Sequence, residues 1–255
     1  MRQRRRTPHW PQGYTLPELL VGMALSLLVI AAATSAYGTS KQTWLAMAAA
    51  DAVHANARMA LRNIREQTQM AGAAYLLLAS NPNGPFTVAV SSSQDLGQPA
   101  LAGINGSKYV ESLTLGHWSA LDSTDCQGNT NSTQASVRND YKLNTKNELS
   151  CKDLNPTAST YQALAEGVED FQVRYAEAHP GAQTLQWKTA QQVTDMAQVL
   201  AIEVCLRVAS VSTVHHTKPS NNLTGCQDEV LPSDGRVRRS FKRVMTLRNR
   251  DGVMP

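Results

Sequence analysis

Residues 13–40 read GYTLPELLVGMALSLLVIAAATSAYGTS, with Glu18 as their one charge. The 22 residues from Leu19 to Ser40 carry none, and as a helix they would extend about 33 Å, enough to cross the hydrocarbon layer of a bilayer. Pro17 falls in the expected first turn, where its missing N–H costs little. Before this run lies MRQRRRTPHWPQG, residues 1–13, basic and without an apolar core of its own. Its Arg2, Arg4, Arg5 and Arg6 account for the whole excess of 24 Lys and Arg over 20 Asp and Glu, so the remainder is neutral. By the positive-inside rule the N-terminus is expected in the cytoplasm and the body outside. Beyond the span, Lys41 to Ala71 has no Pro or Gly and keeps a helical period. Ala57, Leu61, Ile64, Thr68 and Ala71 share a face, with Arg58, Arg62, Arg65 and Glu66 elsewhere around the wheel. Gly72 is the expected stop, so one helix of about 55 residues and about 80 Å should lay its outer half under a sheet.

A basic leader, Gly13, an aromatic at 14 and a lone carboxylate at the fifth position after the glycine resemble the type IV prepilin signature. The resemblance covers residues 1 to about 40 and departs from the pattern at Tyr14, where Phe is usual, and at Pro17. It implies cleavage between Gly13 and Tyr14 by a prepilin peptidase, N-methylation of Tyr14, and a filament role for Glu18, whose carboxylate would answer the free N-terminal amine of a neighbouring subunit. Such a pair at 4 Å is worth about 4 kcal/mol at an effective dielectric of 20. In the membrane, before assembly, the same carboxylate would snorkel to the headgroups.

The other 215 or so residues are polar enough to be soluble: 42% hydrophobic and 17% charged residues overall exclude a polytopic membrane protein, a collagen-like repeat and a fully disordered chain. Apolar runs at Phe86–Val90, Tyr109–Leu115, Val168–Tyr175, Leu185–Trp187, Val199–Val211 and Val237–Leu247 read as antiparallel strands. Residues 119 to 158, rich in Asn, Ser, Thr and Asp, read as a long insertion needing a staple. Four cysteines without a CxxC pair argue against zinc and for an oxidising compartment. They allow three connectivities. The sequential one, Cys126–Cys151 with Cys205–Cys226, closes the shortest loops and is the expected pairing.

The series Leu164-Ala165-Glu166-Gly167-Val168-Glu169-Asp170-Phe171-Gln172-Val173-Arg174-Tyr175, Trp187, Val199 to Leu206, Arg239-Ser240-Phe241 and Leu247 to Arg250 resembles PilW-type minor pilins and, more loosely, the J-type pseudopilins of type II secretion. The fold implied is α+β and type IV pilin-like: a leader (1–13), a transmembrane and assembly helix (14–40), its amphipathic continuation (41–72) and a β-rich periplasmic domain (73–255). The function implied is that of a structural minor pilin in the priming or tip complex of a type IV pilus, and so in motility or adhesion, with a J-type pseudopilin of type II secretion as the alternative. The implied partners are the prepilin peptidase, other minor pilins, the major pilin, the inner-membrane assembly platform and the lipid bilayer.

No catalytic pattern (GxSxG, P-loop, GxGxxG, HExxH) is present in the sequence, and neither an enzymatic activity, a cofactor nor a metal is expected. His215 and His216 suit a solvated loop, and Asp122, Asp125 and Asp140 match no EF-hand spacing. The alternative from another class is a DNA-uptake or adhesive module using Arg238, Arg239, Lys242 and Arg243, part of a basic run from Arg236 to Arg250. Against it, the segment alternates as a strand, basic residues guard exposed strands, and Phe241 alone could stack on a base, so nucleic acid is not the expected partner.

Overall fold

The computed structural model describes residues 13–73, 75–79, 87–91, 100–106, 110–119, 124–130, 135–154, 160–178, 184–214, 224–232 and 234–249. Arg2 to Arg6, Phe86, Tyr109, Asp122, His215, His216 and Arg250, for which the sequence raised expectations, lie outside them. Helix α1 runs Leu16–Met70. Its portion up to Leu45 forms one compact unit and the chain from Ala46 onward a second. In the first, every described side chain from Tyr14 to Tyr37 is exposed.

In the second unit, α1 buries Val53, Ala57, Ala60, Leu61, Ile64, Gln67 and Thr68, the face expected from its period. It ends where Gly72 takes φ +78°, and a Cβ there would stand 2.1 Å from the Asn249 carbonyl oxygen, so glycine is required on both counts. The strands are β1 (Tyr75–Ala79), β2 (Thr87–Ser91), β3 (Leu101–Ile104), β4 (Ser112–Ser119), β5 (Ala135–Leu143), β6 (Glu148–Asp153), β7 (Gln162–Glu166), β8 (Val168–Ala178), β9 (Leu185–Lys188), β10 (Val199–Ala209) and β11 (Arg238–Thr246). All pair antiparallel, in a β1-β2 hairpin, a five-stranded sheet β3-β4-β5-β6-β7 and a four-stranded sheet β11-β10-β8-β9. Both larger sheets and the helix share one core, with Ile64 of α1, Leu113, Leu115 and Tyr141 of the five-stranded sheet, and Phe171, Tyr175, Ile202 and Leu206 of the four-stranded one.

The 119–158 stretch is not a loop. It supplies β5 and β6, which stand inside the five-stranded sheet. Inward positions alternate as Val137, Asn139, Tyr141 and Leu143, then Leu149, Cys151 and Asp153, all buried. Asn139 and Asp153 hide that alternation from a hydropathy reading, yet each is satisfied. Asn139 donates to Gln67 and accepts from the Cys126 N–H, and Asp153 accepts from the Arg138 N–H. The hairpin between β5 and β6 turns on Asn144, whose side-chain oxygen accepts from the Lys146 and Glu148 N–H groups, with Asn147 at φ 59°.

A repeated device staples both sheets. Thr124-Asp125-Cys126-Gln127-Gly128-Asn129-Thr130 and Thr224-Gly225-Cys226-Gln227-Asp228-Glu229-Val230 are closed by bridges between their first and last residues, Thr124 with Thr130 and Thr224 with Val230. In both, the fifth residue is left-handed, Gly128 at φ 83° and Asp228 at φ 60°. Cys126 is bonded to Cys151 of β6 and Cys226 to Cys205 of β10.

His117 of β4 is 2% exposed, its ring nitrogens have no partner among the described residues, and burial lowers its pKa to about 4. Its folded pKa lies below the unfolded 6.5, so it stabilises fully above pH 6.5 and that contribution, about 3 kcal/mol, is lost as pH falls towards 4. Glu111 has the opposite sign. Burial lifts it to about 7 against hydrogen bonds from Val173, Gly106 and Asn105, so its contribution is lost as pH rises from 4.5 through 7. The two oppose each other between pH 4.5 and 6.5. His117→Phe should leave Glu111 dominant there, so that chemical denaturation finds the variant gaining stability on acidification across that window; a pH dependence equal to that of wild type would refute the assignment.

Candidate functional site

The residues expected to direct processing and assembly, Gly13, Tyr14 and Glu18, lie at the start of α1. The Leu19 N–H donates to the Thr15 carbonyl, the first turn of the helix, and Glu18 sits in that turn, where the helix dipole favours a negative charge. Tyr14 is 84% exposed, and a Cβ on Gly13 would meet nothing within 4 Å. The fold therefore makes no demand for glycine at 13. Along the apolar run the hydroxyls turn back on the helix: Ser26 donates to the Gly22 carbonyl, Thr34 to Ile30 and Ala31, Thr39 to Ser35, and Thr43 to Thr39. Each of these four hydroxyls is thus satisfied within the helix, as a hydrocarbon surrounding requires. This helix is long and apolar enough to cross a membrane.

The basic strand divides on folding. Arg238 is not on offer to a ligand: it is 5% exposed and donates to both oxygens of Glu169 and to Asp234. Glu169 also receives Arg236 at 3.0 Å and Arg207 at 3.6 Å. A β-bulge aims it there. Arg207 is opposite Asp170 and Val208 opposite Val168, so Glu169 is the extra residue, Val168 turns into the core and the carboxylate turns out of it. Burial alone would raise the Glu169 pKa, but the Arg238 hydrogen bond and charge, with Arg236 and Arg207, hold it below the usual range. The Arg238 hydrogen bond lowers Asp234 as well, and the two carboxylates raise Arg238. Arg239, Lys242 and Arg243 stay exposed, with Lys242 3.9 Å from Asp228.

The acidic candidates are spent on structure. Asp125 accepts from the Gln127 and Asn129 N–H groups, and Asp140 from Thr114 and Tyr161. Among the described residues no three His, Cys, Asp or Glu side chains could hold a metal. What sequence reasoning missed is the polar seam fastening the Cys126 loop to α1: Asn63 donates to the Cys126 carbonyl and accepts from the Tyr141 hydroxyl, beside the Gln67–Asn139 pair. Asn63 and Gln67 are four apart on the helix, a spacing that could have marked a polar strip beside the apolar face.

Residues 133–249 match the family described as Type IV Pilus-assembly protein W, PilW. No curated protein matches the chain. Among solved structures it is similar to a type IV-like pilin from Thermus thermophilus, at 17% identity over 59% of this chain and 82% of that one, with a TM-score of 0.43. The PilW match takes in every strand from β5 to β11, including Cys151, the Cys205–Cys226 pair and the Glu169 cluster, and it is over this region that the chain is similar to that family.

Proposed function

We propose that the chain is a minor pilin: a non-enzymatic subunit that is held in the inner membrane by α1 with its body in the periplasm, is processed at Gly13–Tyr14, and is then drawn into a type IV pilus to help prime or cap it. The observation that carries this is the exposed, uncharged face of α1 opening on Glu18, joined in one chain to a PilW-family region. An apolar helix exposed on all sides needs either lipid or other apolar helices around it, and a subunit passing from membrane to filament meets both in turn. One carboxylate in its first turn then sets the register, because an unpaired Glu18 in an apolar filament core is costly and a neighbour's N-terminal amine removes that cost. Two disulfides suit the oxidising periplasm. The partners that follow are the prepilin peptidase, other minor pilins, the major pilin and the inner-membrane assembly platform, with motility or adhesion as the outcome.

Mass spectrometry of the protein co-expressed with a prepilin peptidase should find a mature chain that begins at N-methylated Tyr14. Since nothing in the fold crowds Gly13, a bulky residue there should block cleavage while leaving the domain's melting temperature unchanged. A chain starting near Ala33, or one retaining Met1, sinks the proposal.

A further inference from the structure

Between α1 and β11 lies a seam lined by arginines that the assembly helix does not use. The His54 ring stands edge-on to Phe241 at 5.2 Å and the Thr68 hydroxyl meets the Met245 sulfur, so this flank of α1 follows β11. Arg58 and Arg65 occupy the same flank, four and eleven residues beyond His54, and both are exposed. On β11, Arg239 and Arg243 alternate with the outward row and share the helix side with Phe241 and Met245, yet they too are exposed. None of these four has an ion pair among the described residues, whereas Arg62 is held by Glu66 and Arg207, Arg236 and Arg238 by the Glu169 cluster. The carboxylate on this flank is Asp51, at the seam's beginning. β11 is also the end strand of its sheet, with β10 on one side and no described strand on the other.

We infer that this seam is a strand-addition site for an acidic, extended segment of a partner subunit. Such a segment would pair with the N–H and C=O groups of β11 that no described strand engages, and its alternate carboxylates would reach Arg239 and Arg243 from the strand and Arg58 and Arg65 from the helix. Charge selects the occupant. A second copy of β11 would set Arg239, Lys242 and Arg243 against their own kind, so the edge rejects itself while accepting an acidic strand. A nucleic acid would find phosphate partners but no platform for its bases, because Phe241, the one aromatic of the strand, is engaged by His54. The inference rests on the proposed pilus role only for naming the partner as a subunit. Processing at Gly13 is measured separately, so either idea can fail alone.

The test uses the full chain in lipid nanodiscs and fluorescence anisotropy. One probe is a peptide of about ten residues alternating Glu with Val and Thr, long enough to span β11. The second is its proline-interrupted counterpart of equal charge, and the third a single-stranded oligonucleotide of about 16 nucleotides. The alternating peptide should bind at least about tenfold tighter than the proline form and slow amide hydrogen exchange along Arg239–Thr246. Arg239→Glu with Arg243→Glu, and separately Arg58→Glu with Arg65→Glu, should each weaken it about tenfold or more; all four side chains are exposed, and unchanged melting temperatures would verify the fold. Equal binding of the two peptides, tighter binding of the oligonucleotide, or undiminished binding by either variant overturns the inference.

Discussion

Glu169→Ala is expected to lower the free energy of unfolding by about 3–5 kcal/mol, the largest effect foreseen for any single surface-distant carboxylate in this protein. The carboxylate draws together Arg207 of β10, Arg238 of β11 and Arg236 of the preceding turn. Removing it leaves Arg238, at 5% exposure, with Asp234 as its one remaining anion among the described residues. That is a buried guanidinium half-compensated, and the loss is a large fraction of a total stability of about 5–15 kcal/mol. Lys242→Ala makes the internal comparison. Its contact with Asp228 is long and solvent-exposed, so about 0.5 kcal/mol or less is expected. Urea denaturation of the two variants side by side tests this, and similar midpoints would show the cluster to be no more than a surface network. Because Glu169 is held below its unfolded pKa, its contribution is present above about pH 4.5 and lost as pH falls through the folded value. The wild-type midpoint should therefore drop at acid pH by more than that of Glu169→Gln.

Loss of either disulfide is expected to cost about 3 kcal/mol. Cys126–Cys151 spans 25 residues and Cys205–Cys226 spans 21, and closing loops of that size removes similar entropy from the unfolded chain. In a unit of this size about 3 kcal/mol corresponds to a melting temperature lower by about 10 °C. The consequences for the folded state should differ. The reduced Cys126 loop keeps its bonds to Asn63 and Asn139 in the helix seam, whereas the reduced Cys226 loop keeps chiefly the Arg207–Glu229 ion pair and the Ser240 hydrogen bond to Thr224. Hydrogen exchange after Cys→Ser pair replacement should thus show residues 224–230 opening more readily than 124–130. Melting curves unchanged by reductant, with free thiols verified, would remove both bridges from the account.

The parts of the chain legible in advance are those whose information is local. The uncharged run from Leu19 to Ser40, the 3.6-residue rhythm of Ala57, Leu61, Ile64 and Thr68, and the stop at Gly72 all follow from backbone geometry and the cost of exposing or burying a charge, which neighbours in sequence already specify. The alternation of Phe171, Val173 and Tyr175 announced β8 for the same reason. Legibility fails where a polar residue occupies an inward position. Asn139 and Asp153 made β5 and β6 read as a loop, because the partners that make them tolerable, Gln67 of the helix and the Cys126 and Arg138 amides, come from other elements. The same holds for the basic run. Its sequence is a row of equivalent cations, and only the bulge at Glu169 separates Arg238, drawn into a buried cluster, from Arg239 and Arg243, left exposed beside α1. Sequence by itself determined the helix, its apolar span and the strands β2, β4 and β8 to β11, but not β1, β3 or β5 to β7, since hydrophobic periodicity is a property of neighbouring residues. Tertiary structure alone decided which polar groups are compensated and which remain free to bind, since a hydrogen bond or ion pair needs a partner that folding must bring from elsewhere in the chain.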